Sequence, residues 1–146
     1  MSVRDITVII TSFRSGDKIK NCLNSIDGEI KVLLIENSND SNIKKNIEKE
    51  FSNVECILTG ANFGYGKSNN IGLKKVITKY ALILNPDTSL HPTAIENFIK
   101  TKKEDTRSAP LEVVLRPCSY GFLRFLEKFP VLLIFLYGTT PPSYFF

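Results

Sequence analysis

An α/β sandwich with a mostly parallel sheet is the fold class this sequence predicts for residues 1–105. Three observations carry the prediction. Short apolar runs of strand length alternate with stretches of helical periodicity. The strand runs are continuously apolar and partly β-branched, as in parallel strands covered on both faces. Polar residues capable of chemistry follow every run, where open parallel sheets bind their ligands.

The elements follow in order. "ITVII" (6–10) is a buried strand. From Asp17 to Ile26, the residues Ile19, Cys22, Leu23 and Ile26 fall at i, i+3, i+4 and i+7 and mark one helical face. "KVLLIE" (31–36) is a second strand. Asp40 or Ser41 can cap a polar helix running to about Phe51, with Ile43 and Ile47 inward. "VECIL" (54–58) is a third strand. The glycine-rich "GANFGYGKSNNIGL" (60–73) follows, and a helix is expected to carry Leu73, Val76, Ile77 and Tyr80 on one face. "YALIL" (80–84) is a fourth strand. "NPDTSLHP" is a loop, and Pro92 opens a last helix with Ile95, Phe98 and Ile99 inward.

Composition narrows the function classes. The formal charge is +4 over 146 residues. That suits an anionic small ligand or an acidic membrane surface. The lysines are scattered, with neither a basic block nor a basic stripe interleaved with aromatics, which argues against nucleic acid as a partner. Cys22, Cys56 and Cys118 are far apart, with no CxxC pair. Neither a disulfide framework nor a zinc site is expected, and a reducing cytoplasm is the default. The apolar run Ile6–Ile10 is too short for a signal peptide.

The chemistry of the strand ends admits two readings at each place. In "NPDT" (85–88), Asp87 could hold a divalent cation that bridges phosphates, since Mg²⁺ often takes one or two carboxylates plus phosphate oxygens and water. The same four residues could be a turn with Pro86 second. In "ENSND" (36–40), Glu36 could accept from a base or a ribose hydroxyl, while Asn37, Ser38 and Asp40 cap the next helix. The glycine-rich stretch fits neither GxxxxGK[ST] nor GxGxxG. It could cradle an anion where Lys67 and Ser68 begin a helix, or be a plain strand-to-helix turn. His91, the sole histidine, is expected to be exposed beside Pro92, without a nucleophilic partner.

Beyond Asp105 the composition breaks. Residues 106–146 hold no Asn, no Asp and one Lys, against twelve Asn and thirteen Lys before them. "FPVLLIFLY" (129–137) is nine residues, well short of the ~20 that span a bilayer. Two readings remain. The tail is an irregular or helical element that docks on a membrane surface or a partner. Alternatively it is non-native sequence, for example a shifted frame after a deletion, and the abruptness of the break favours this second reading. The coding DNA in the other two frames past codon 105 decides between them.

Together these pieces resemble the N-terminal half of a family 2 glycosyltransferase with the GT-A fold, nearest to its rhamnosyltransferase-like members. The family's V-T-Y-N element is matched by Ser12, Phe13 and Arg14 after "ITVIIT". Its V-D-N-x-S-x-D element is matched by "IENSND", with Glu36 in place of Asp. Its N-x-G-F-G-x-G-N-N-x-G element is matched by Asn62, Gly64, Tyr65, Gly66, Asn69, Asn70 and Gly72. Its L-x-L-N-P-D-T element is matched by "LILNPDTSL". The likeness covers about residues 4–103.

The resemblance implies a Rossmann-like, incomplete GT-A domain over 1–105. It implies inverting transfer of a sugar from a nucleotide-diphosphate donor, dTDP-rhamnose or a UDP-sugar, to an acceptor hydroxyl. Thr11, Ser12 and Phe13 would line the nucleotide pocket, and Glu36 would meet the base or ribose. Asn62, Gly64, Lys67 and Asn70 would border the nucleoside or its phosphates. Asp87 would bind Mg²⁺ or Mn²⁺. The family's general base is a carboxylate of its C-terminal half, and after Asp105 this chain offers Glu112 and Glu127, neither in a matching motif. The expectation is therefore a truncated enzyme, weak or inactive alone and without an assigned catalytic residue. It would be cytoplasmic, peripheral to the inner membrane if the tail docks there. The rival is a non-catalytic nucleotide-binding or membrane- or partner-docking module.

Overall fold

The structure, a computed structural model, describes residues 2–97 and 135–136. A short 3₁₀ turn, Val3–Asp5, leads into β1 (Ile6–Ser12). There follow α1 (Asp17–Asn24), β2 (Lys31–Glu36), α2 (Ser41–Glu50), β3 (Val54–Leu58), α3 (Gly64–Leu73), β4 (Tyr80–Leu84) and β5 (Phe135–Leu136). The strands form one sheet in the order β3-β2-β1-β4-β5, and every pairing is parallel.

This order follows from chain sense and handedness. β1, β2 and β3 step outward in one direction, and α1 and α2 pack on one face. The chain then crosses back over β2 and β1 to reach β4. A right-handed crossover in that reverse direction must place its helix on the opposite face, and α3 does lie there, against Ile9, Leu33, Ile35, Ala81 and Ile83. The reversal falls between β1 and β4, so the crevice expected at such a switch point opens at the carboxyl ends of these two strands.

Both sheet faces are covered, which is why the strands are apolar without alternation. All seven residues of β1 are buried. Each fully buried Ile or Leu contributes about 1.5–3 kcal/mol relative to exposure. The larger core joins even-numbered strand residues such as Val8, Ile10, Val32 and Leu34 to Ile19, Cys22 and Leu23 of α1 and Ile47 of α2. Asp40 caps α2, its Oδ1 accepting from the amides of Asn42 at 2.8 Å and Ile43 at 3.3 Å.

One expected helix is displaced. The periodicity of Leu73, Val76, Ile77 and Tyr80 does not describe a helix: α3 begins inside the glycine-rich stretch and ends at Leu73. Lys75 N–H bonds to Gly72 O and Val76 N–H to Leu73 O, which tightens and closes the last turn. Ile77 is 89 % exposed, and Tyr80 already belongs to β4. The four apolar residues straddle a turn, and their spacing is a coincidence.

Residues 94–97 are helical just after Pro92, with Ile95 buried. Phe98, Ile99, Glu112, Glu127, Cys118 and the boundary at residue 105 lie outside the described residues. Within the segment expected to be irregular or helical, β5 pairs with β4 through Ile83–Phe135 and Leu84–Leu136. Among the described residues, no helix is long and apolar enough to cross a membrane.

Candidate functional site

The carboxyl ends of β1 to β4 meet at one edge and are tied to each other by side chains. Asn37 N–H donates to Ser12 O at 2.8 Å, joining the ends of β1 and β2. Thr11 and Ser12 point to opposite faces, as successive strand residues must. Thr11 Oγ1 donates to Asn69 Oδ1 of α3 at 2.8 Å. Ser12 is fully buried, and its hydroxyl has no partner among the described residues. Phe13 follows the strand at 45 % exposure, with the Arg14 guanidinium 5.3 Å from its ring centroid.

Glu36 is the register partner of Ser12 and is fully buried. Its Oε1 accepts from Ser38 N–H at 2.7 Å and from the Ser38 hydroxyl. Its Oε2 has no partner among the described residues. An unpaired buried acceptor costs about 1–3 kcal/mol, more if charged. Among the described residues, the hydroxyl of Ser12 and this oxygen are therefore unused hydrogen-bonding capacity at the ends of neighbouring strands.

The glycine-rich stretch is a wall rather than a free loop. Gly64 opens α3 at φ +74, a conformation that excludes most side chains. Asn37, on the α3 face of β2's end, holds this wall. Its Oδ1 accepts from Phe63 N–H at 3.1 Å and Ser68 Oγ at 3.0 Å, and its Nδ2 donates to Asn62 Oδ1 at 2.8 Å. Asn62 Oδ1 also accepts from Gly64 N–H at 3.0 Å. The expected helix start at Lys67 and Ser68 is corrected: α3 starts three residues earlier, at Gly64, and Ser68 lies past its first turn, fully buried with its hydroxyl on Asn37. Lys67 is exposed. Asn69 Nδ2 and Asn70 Oδ1 are buried without partners among the described residues.

After β4, the chain makes the turn that Pro86 predicts, with Thr88 N–H donating to Asn85 O at 3.1 Å. The turn reading of "NPDT" is thus the observed one, and the turn leaves Asp87 exposed at its tip. Tyr65 Oη donates to Asn85 Oδ1 at 3.0 Å, so α3 braces the turn. From the other face, Cys22 Sγ lies 3.6 Å from Asn85 O. Burial pushes the Cys22 thiol up to about 12, and Asp87 nearby adds to the shift. Such a thiol is no nucleophile.

Among the described residues, no group of three or more His, Cys, Asp or Glu could cage a metal ion. A lone exposed carboxylate fits an ion whose other ligands are phosphate oxygens and water, as for Mg²⁺. His91 is exposed and pairs with Thr93 at 3.0 Å.

The edge thus gathers Ser12, Phe13, Glu36, Asn62, Gly64, Lys67, Asn70 and Asp87, while Thr11 turns inward to α3. Sequence reasoning missed Asn37 as a hub, the bonds of Ser68 to Asn37 and of Asn69 to Thr11, and the Tyr65–Asn85 brace. A signal was present: Ser and Asn are poor helix-interior residues, and their cluster at 68–70 implies partners other than the helix backbone.

A parallel α/β sheet of this kind matches the fold of GT-A glycosyltransferase structures. Its backbone superposes on the crystal structure of Staphylococcus aureus TarS 1–349 with a TM-score of 0.59, at 20 % identity, over 68 % of this chain and 32 % of that one. The chain belongs to glycosyl transferase family 2, whose family model matches residues 7–130, past the compositional break at 105. It is 28 % identical over 98 residues to the low-salt glycan biosynthesis hexosyltransferase Agl10 of Haloferax volcanii, covering 64 % of this chain and 31 % of that protein. It is 26 % identical over 141 residues to the rhamnosyltransferase WbbL of Escherichia coli K12, covering 90 % of this chain and 53 % of that protein. The chain therefore spans about a third to a half of the length of these relatives.

Proposed function

We propose that this chain forms the donor half of an inverting glycosyltransferase and binds a nucleotide-diphosphate sugar at the carboxyl edge of its sheet. The observation that carries the reading is the presence, on register-partnered residues at two neighbouring strand ends, of two buried polar atoms without partners among the described residues, Glu36 Oε2 and Ser12 Oγ, next in sequence to an exposed aromatic residue, Phe13. Phe13 offers a flat face for the base. Glu36 accepts from the base or a ribose hydroxyl. Asn62, Gly64, Lys67 and Asn70 border the nucleoside and its phosphates, with Lys67 supplying positive charge. Asp87 holds Mg²⁺ or Mn²⁺ against the diphosphate. That ion, when bound, offsets charge growing on the leaving diphosphate.

A base must stand within hydrogen-bond reach of the attacking hydroxyl. This reading assigns that role to none of the described edge residues. Glu112 and Glu127 of this chain stand in no matching motif, and on this reading turnover by the isolated chain is weak or absent. The rhamnosyltransferase and hexosyltransferase relatives support a hexose or deoxyhexose donor, carried on dTDP or UDP.

Calorimetry with UDP and dTDP, with and without Mn²⁺, tests the reading. Wild-type chain binds one of them in a metal-dependent way, and Asp87→Ala removes the metal dependence. Absence of binding to the wild type, or binding unchanged in Asp87→Ala, overturns it. A second reading, docking on an anionic membrane surface, is favoured by the apolar stretch 129–137. Vesicle co-sedimentation that is lost on deleting residues 106–146 distinguishes it.

A further inference from the structure

We propose that Asn37 is a positioning residue of the donor site, a clasp that holds the glycine-rich wall in place against the end of β2. The proposal rests on the donor-site reading and assigns no ligand contact to Asn37 itself. Asn37 is 2 % exposed and directly follows Glu36.

The orientation of its amide is set by chemistry. Phe63 N–H can only donate, so the atom facing it at 3.1 Å must be the oxygen. That leaves Nδ2 to donate to Asn62 Oδ1, at 2.8 Å. The same Asn62 oxygen accepts from Gly64 N–H. One side chain thus satisfies, directly or through Asn62, the amides of Phe63 and Gly64, two of the donors that the start of a helix leaves without intrahelical partners. Ser68 Oγ, one turn further along, closes on the same oxygen. Thr59 Oγ1 lies 3.0 Å from it as well, at the exit of β3.

The consequence is geometric. Asn62, Gly64 and Lys67 belong to the wall, Glu36 to the strand end, and Asn37 sets the distance between the two groups. A network of this kind resists small displacements, and a displacement of about 1 Å at a site can cost about a hundredfold in function. Asp at this position keeps the acceptor and loses the donor to Asn62. Ala loses both.

The test uses the full chain and whichever of UDP or dTDP binds it with Mn²⁺. Asn37→Ala lowers affinity by about tenfold or more, Asn37→Asp by less, and Ser68→Ala by a few fold. Amide exchange, read residue by residue by NMR, accelerates at Phe63 and Gly64 in Asn37→Ala and stays unchanged in β1 and β4. Should Asn37→Ala fail to fold, Asn37→Asp and Ser68→Ala carry the same two readouts. Wild-type affinity retained in these variants overturns the proposal. So does an affinity loss without faster exchange at Phe63 and Gly64, because Asn37 would then touch the ligand directly. If the wild type binds neither nucleotide, the donor reading fails. Exchange at Phe63 and Gly64 then still decides the clasp, which stands if it accelerates and falls if it does not.

Discussion

Cys22 and Cys56 sit fully buried on the α1–α2 side of the sheet. Burial, the largest cause in each, pushes both thiols from 9.0 up to about 12. The neutral form is therefore favoured in the fold. The stability tied to it is complete below 9.0 and is lost as pH rises towards about 12. Urea unfolding followed across that range should show a falling midpoint. Cys22→Ala/Cys56→Ala should fall less steeply, and an equal slope would remove the thiols from the explanation. Glu36 and Asp87 stood out in the sequence as carboxylates just past apolar strands, and the structure buries Glu36 at the end of β2 and leaves Asp87 exposed on the turn after β4. Asn37 was read there as a turn residue. Its bonds reach Phe63 and Ser68, 26 and 31 residues away, and no local pattern announces contacts at that separation.

At the scale of elements, strand runs and the faces of α1 and α2 were readable because burial imposes a period on sequence. α3 was not, because its buried positions are Ser68, Asn69, Gly72 and Leu73, three of them outside any apolar template. Gly72 shows why the helix nevertheless packs. A Cβ there would lie 2.7 Å from Ile9 Cγ2 and 3.4 Å from Ile35. Gly72→Ala should therefore destabilise the fold by about 1–3 kcal/mol, offset by less than about 1 kcal/mol of helix propensity. Chemical denaturation measures this, and a stabilised variant would refute the close approach. Asp40→Ala should cost about 1 kcal/mol through the lost cap of α2, read in the same way.

For the whole molecule, the parallel order places every proposed ligand-facing residue at one edge and leaves the loop 74–79 at the other. Saturating nucleotide diphosphate with Mn²⁺ should raise the unfolding midpoint, by about 2.7 kcal/mol of stability at a hundredfold excess over Kd. Hydrogen exchange should slow at residues 36–38, 59–68 and 85–88 and stay unchanged at 74–79. Protection appearing at 74–79 would place the ligand on the wrong end of the sheet. The sheet was legible as a parallel α/β layer from its alternating runs. Its order was not, since reversal at β1 depends on a crossover that local sequence does not encode.

Among the described strands β3 forms one border of this sheet, and its backbone is already engaged at Cys56. Glu48 of α2 accepts from Cys56 N–H at 2.9 Å, and Lys44 Nζ donates to Cys56 O. That amide is the main reason the Glu48 carboxyl is held below its usual range, with Lys44 adding to the effect. A strand arriving from another molecule would have to evict both side chains before it could pair there. The β3 margin is therefore guarded at Cys56, and oligomers or fibrils seeded through β3 should appear only in Lys44 and Glu48 variants.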